Sequence, residues 1–419
     1  MSSMATAVRS AVLGLVSLLA TIATLPAQTI AITGGTVVPG TGAKIERGTV
    51  IITNGRITAV GAGVAVPSGA TTIDATGKWV TAGLIHSDAN AGAGVRGLGG
   101  FGEAGVEGNV NPSFNPAAGL DPEAVALPIA RTGGVTTGLI LPNGSFIRGQ
   151  AVAIDFAGTR ATEMVALASA GLSINLTDGS KGAGGGARAG TIAYLERLFA
   201  DALDYNVRKL AYRRGATQEL SAPGSELEAL LPALQGRMPV IISANRKIDI
   251  ENALDLARKH RLRLILEGAV EGWKVADRIA QAGVPVVLAP NTDIPSFDGL
   301  GARLDNATLL RAAGVKVIIA QGDPGGERNL RFAAGNAVRN GMSWDDAFKA
   351  VTVWPAEAFG LARYGSLEVG KVGNVVVWSG DPFEFSSAAE RVIVRGEDTS
   401  LRTRENELRD RYRTLPPPR

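Results

Sequence analysis

The 419 residues, 45% hydrophobic and 19% charged, make a chain long enough for a sizeable core, with about 250 residues sufficing for a barrel. A net charge of +3, with Lys and Arg scattered, calls for no nucleic acid partner and no acidic membrane surface. The lack of cysteine excludes disulfides, zinc–thiolate sites and a thiol nucleophile, and 54 glycines without a period exclude collagen or a simple repeat.

Residues 1–27 carry one positive charge, Arg9, then an apolar run from Ala11 to Ala23, then Leu25-Pro26-Ala27. This is the pattern of a signal peptide cut near Ala27, and it predicts export to the periplasm. The alternative is a membrane anchor, but the run is short of the roughly 20 residues a span needs. No later stretch is apolar and long enough, so no stable membrane span is expected.

Ala31–Thr33, Thr49–Ile52 and Arg56–Val60 predict strands, with the hairpin pair Asn54-Gly55 between the last two. Asn374–Trp378 and Arg391–Gly396 predict strands near the other end. Residues 28–80 and 361–400 are therefore expected to form one small β-sandwich domain, the alternative being two unrelated hairpins. Residues 81–360 alternate between element types. Strands are predicted at Val135–Leu141, Met238–Ile242, Leu262–Leu266, Val284–Leu288 and Val315–Ala320. Helices are predicted at Asp249–His260, Trp273–Ala282 and Ala307–Ala313, the last two stopping at Gly283 and Gly314. Such alternation implies a parallel sheet, and its repetition favours an α/β fold with a (β/α)8 TIM-like barrel over an open sheet. The Gly-rich stretches 91–116 and 179–190 read as long loops, and residues 401–419 as a charged tail with a short helix.

Three segments resemble the amidohydrolase superfamily. Asp74-Ala75-Thr76-Gly77-Lys78-Trp79-Val80-Thr81-Ala82-Gly83-Leu84-Ile85 resembles the run into the first barrel strand. Gly365–Trp378 resembles the return from barrel to sandwich, where an aspartate usually stands near Asn374. Asn329–Phe332, Gly335–Ala337, Ala350–Thr352 and Pro355-Ala356 look like the last helices of imidazolonepropionase-related members. The resemblance implies hydrolysis of non-peptide or small peptide-like C–N bonds, with divalent metal activating a water. It places a His-x-His pair, further histidines after strands five and six, and an aspartate after strand eight.

Here those positions read differently. His86 stands where the family has aspartate, and the His-x-His pair falls on Asp88 and Asn90. Ser243 stands at the strand-five position and Glu267 near the strand-six position. Asp323 matches the strand-eight aspartate and is the retained catalytic candidate; His86, Asp88, Asn90, Ser243 and Glu267 are pocket candidates. Asp88, Asn90 and Asp323 are the weak metal candidates, their oxygens suiting hard ions better than zinc. Glu267 is open to pairing with Arg263 or Lys274, His260 is expected to face solvent, and Lys181 fits no bridging role. Two functions stay open: a C–N hydrolase with an altered metal site, or an inactive barrel. The latter would bind a small-molecule ligand or pair, as a homo- or hetero-oligomer, with an amidohydrolase homologue.

Overall fold

The computed structural model describes residues 28–91, 104–216, 218–291, 294–296, 298–322 and 326–413. The candidate signal segment 1–27, part of the 91–116 stretch, Asp323 and the end of the charged tail lie outside the described residues.

Both ends of the chain build one sheet. Its N-terminal strands are β1 (Thr29–Val38), β2 (Ile45–Thr53), β3 (Arg56–Ala62), β4 (Thr71–Asp74) and β5 (Trp79–Ala82). Asn54 and Gly55 both take positive φ, 51° and 75°, which lets a two-residue turn join β2 and β3.

The barrel strands follow: β6 (Leu84–His86), β7 (Val135–Ile140), β8 (Ile147–Asp155), β9 (Val165–Asn175), β10 (Val240–Ala244), β11 (Leu264–Gly268), β12 (Val286–Leu288) and β13 (Val317–Ile319). The chain then returns to the first sheet as β14 (Val375–Trp378), β15 (Ala389–Val394) and β16 (Glu397–Thr399). That sheet runs β16-β15-β14-β5-β1-β2-β3, with β4 beside β1, and encloses its own core of Ile30, Ile32, Val50, Ile52, Val375, Val377 and Ile393.

The second sheet runs in chain order from β6 to β13 and curls into a nearly closed barrel. Seven strands are parallel and β8 runs against them, pairing antiparallel with both β7 and β9. Asn143-Gly144 lies in the short link from β7 to β8, and such a pair favours a hairpin reversal. Among the described residues no strand pairing joins β13 to β6. The seam is bridged by the Gln321 N–H on His86 Nε2 at 3.1 Å and flanked by the Ile85 N–H on Val351 O at 2.8 Å.

Helices cover the barrel by ordinary amphipathic logic. In the helix Lys247–His260, the residues Ile250, Ala253, Leu254 and Ala257 recur every three or four positions and are buried. Among the described residues no helix is long and apolar enough to cross a membrane.

Barrel and end-sheet meet at a buried polar hub. Asp155, at the end of β8, accepts hydrogen bonds from Thr137 Oγ1 (3.0 Å), Asn374 Nδ2 (2.9 Å) and Tyr364 Oη (2.9 Å), with Arg395 Nε at 3.7 Å. Asn374 Oδ1 accepts the Arg395 N–H at 2.7 Å, so Asn374 ties the two sheets together. Beside the hub, the fully buried Trp378 ring fills the space next to Gly134, which has a φ of 75° and where a Cβ would collide with the ring.

Candidate functional site

The C-terminal ends of the parallel strands converge on one mouth, as in any such barrel. His86 ends β6 and is buried. The backbone N–H of Asp88 lies 3.2 Å from its Nδ1 and that of Gln321 lies 3.1 Å from its Nε2. Burial lowers the imidazole pKa to about 4, against the opposing pull of Glu327, so the ring is neutral near pH 7. A neutral ring has one lone pair, so one of these N–H groups is hydrogen-bonded and the other is only close.

Asp88 and Asn90 lie in the turn beyond β6, not on the strand. The turn is held from across the barrel. Glu327 is buried in the single helical turn Glu327–Asn329, and its Oε1 accepts the N–H groups of Asn90 (2.8 Å) and Ala91 (2.9 Å). Asp88 has its pKa raised to about 7, first by burial, then by the charges of Glu267 and Glu327, with Arg148 opposing.

Ser243 on β10 and Glu267 on β11 are register partners, so parallel pairing sets their side chains next to each other on one face. The Ser243 hydroxyl donates to Glu267 Oε2. Arg148 Nη1 donates to Ser243 Oγ at 3.0 Å and lies 3.4 Å from Glu267 Oε2. Arg148 reaches them because β8 is reversed: it stands near the start of β8, which lies at the same end of the barrel as the finish of β10 and β11. Glu267 pairs with neither Arg263 nor Lys274, whose Nζ is 2.6 Å from Glu271. Asn291 Nδ2 donates to Gln321 Oε1 at 2.6 Å where β12 and β13 end.

Around the rim, Arg188 joins Asp249 (2.7 Å), Asp178 (3.1 Å) and Asp298 (3.3 Å), and Arg246 joins Asp298 (3.2 Å). The loops after β9, β10 and β12 are thereby tied together. Lys181 belongs to this rim as an ion pair with Asp178, in a short helical segment, Asp178–Gly184, where the sequence suggested a loop. His260 does not face solvent freely. Its ring packs edge-on against Phe199 at 5.1 Å, and its buried Nε2 has no hydrogen-bond partner among the described residues.

The structure thus brings His86, Asp88, Ser243 and Glu267 to one mouth, with Asn90 at its edge. It adds Arg148 and Glu327, which sequence reasoning missed. Asn143-Gly144 was the available sign of β8, and hence of Arg148. Nothing local marks Glu327, which lies more than 230 residues from its partners. Among the described residues no three His, Cys, Asp or Glu side chains are grouped to hold a metal ion.

The raised pKa of Asp88 gives a pH prediction. Its ordinary value is 3.8, so the stability linked to its bound proton is complete below about pH 4 and is lost as pH rises through about 7. Asp88→Asn is therefore expected to gain stability relative to the unaltered protein between about pH 4 and 7, with the difference level above that. Urea midpoints across that range test it; a difference constant with pH would contradict it.

Residues 274–399 match the amidohydrolase family. Over 373 residues the chain is 24% identical to amidohydrolase tasK of Hapsidospora irregularis, covering 79% of this chain but only 37% of that relative's length. An amidohydrolase structure from Thermotoga maritima MSB8 superposes with a TM-score of 0.80 at 28% identity, covering 89% of this chain and 100% of that one. A molinate hydrolase structure superposes with a TM-score of 0.55 at 19% identity, covering 90% and 95%, which speaks for the fold alone. The chain accordingly has the fold of the amidohydrolase superfamily and matches, in residues 274–399, the amidohydrolase family.

Proposed function

We propose that this chain is a hydrolase of non-peptide or small peptide-like C–N bonds that works without the metal centre of its superfamily. The observation that carries the reading is the Arg148–Ser243–Glu267 cluster at the strand-five and strand-six positions. A guanidinium there brings a fixed positive charge to the ground a divalent ion would need, and two cations at close range repel strongly in a low-dielectric site. His86 and Glu327 are also engaged. Both His86 nitrogens face backbone N–H groups, and Glu327 Oε1 holds two more. These residues do not suit a divalent metal, so no step is routed through one.

What remains is a cluster of polar side chains suited to a carbonyl compound. Arg148 is a strong, always charged donor for a developing oxyanion, and donors of this kind supply a large share of acyl-transfer catalysis. The carboxylates Asp88, Glu267 and Glu327 gather beside Arg148, which favours neutral or cationic amides over anionic ones. Placement in the imidazolonepropionase-related branch, on residues 329–337 and 350–356, and export after cleavage near Ala27 are parts of the same proposal.

The test is a panel of amides, lactams, cyclic imides and dipeptides offered to the protein and to Arg148→Ala. Turnover reduced by roughly 100- to 1,000-fold in the variant is expected, the usual effect of removing an oxyanion donor. No turnover of any member would overturn the hydrolase reading and favour a binding or partner role for the barrel.

A further inference from the structure

We infer that Ser243 is a nucleophile, activated by Glu267 and flanked by Arg148, so that hydrolysis at this mouth proceeds through a covalent acyl-serine. The inference rests on the hydrolase reading above and names how that site works. Three features of the geometry carry it. The Ser243 hydroxyl hydrogen is directed at Glu267 Oε2, the arrangement in which a base can take that proton. The oxygen already accepts from Arg148 Nη1 at 3.0 Å, so charge developing on it, or on a carbonyl oxygen beside it, meets a guanidinium. The serine stands one residue before the end of β10 at the mouth, where barrel chemistry is placed, and Arg148 and Glu267 hold its rotamer.

The step balances without any further reagent. Ser243 Oγ bonds to the carbonyl carbon of the substrate while its proton passes to Glu267. The tetrahedral oxyanion rests against Arg148. The C–N bond breaks and its electron pair stays on nitrogen, which takes the proton back from Glu267 and leaves as the amine. Water then attacks the acyl-serine, giving its proton to Glu267. The serine–carbonyl bond breaks, Ser243 recovers its proton, and the carboxylic acid departs. The sum is amide plus water to acid plus amine.

A cysteine-free chain has no competing thiol, which makes covalent labelling easy to read. The full-length protein is incubated with 4-nitrophenyl acetate and, separately, with diisopropyl fluorophosphate, followed by peptide mass spectrometry. The expected result is a nitrophenolate burst near one equivalent per chain and an adduct on the peptide holding Ser243. Both should vanish in Ser243→Ala, and Glu267→Gln should slow the burst at least about 100-fold, as loss of a general base does. Unchanged thermal unfolding of Ser243→Ala excludes misfolding as the cause. An adduct elsewhere, no adduct, or a burst that survives in Ser243→Ala overturns the nucleophile. The two readings fail separately. Amide turnover that persists in Ser243→Ala sinks the nucleophile and leaves the hydrolase, while labelling at Ser243 without amide turnover does the reverse.

Discussion

Asp155→Ala is expected to destabilise the protein by about 3–5 kcal/mol, the usual effect of removing one side of a buried charged network. Asp155 is almost fully buried at the seam between the two sheets. Without it, Thr137, Asn374 and Tyr364 lose their acceptor together, and Arg395 loses its carboxylate. Burial raises the Asp155 pKa, against the opposing hydrogen bonds from Asn374, Tyr364 and Thr137 and the charge of Arg395. Asp155→Asn, which keeps the shape and an acceptor oxygen, should therefore cost markedly less. Urea unfolding of the three proteins at matched slope measures the difference. Equal midpoints for Ala and Asn would mean that the hub is held by charge alone.

Glu327→Ala should cost about 2–6 kcal/mol, because two backbone N–H groups lose their acceptor and each such loss costs about 1–3 kcal/mol. The effect is local before it is global. Asn90 and Ala91 are tied to Glu327 at 2.8 and 2.9 Å, and Asp88 is anchored in the same turn. Amide hydrogen exchange should show these two N–H groups losing protection in the variant. Glu327→Gln, which retains an acceptor without the charge, should fall between the two. Full protection in Glu327→Ala would mean that the turn is held by other contacts, such as the Ala89 N–H on Leu139 O.

Much of the architecture was legible in the sequence. The parallel strands β10 to β13 announce themselves as short apolar runs, separated by helices that stop at Gly283 and Gly314. The strands at both ends share the β-branched pattern that places them in one sheet. Strand β8 was not legible as a barrel strand, since alternating βα units lead one to expect parallel strands throughout, and its reversal depends on one short turn. Arg148 was missed with it. The site was half legible: Ser243 and Glu267 could be placed by their strands, but their contact is set by register between β10 and β11, which no local pattern fixes. The Glu327 contact spans most of the barrel and is created only when its ends approach.

That the site works without a divalent ion, as proposed, is tested most directly by metal content. The protein is purified without chelators, incubated with zinc, manganese and calcium, freed of loose ions, and analysed by elemental mass spectrometry. No stoichiometric metal is expected before or after incubation. Close to one ion per chain, retained through purification and lost in Asp323→Ala, would contradict it and restore a metal-activated water as the nucleophile.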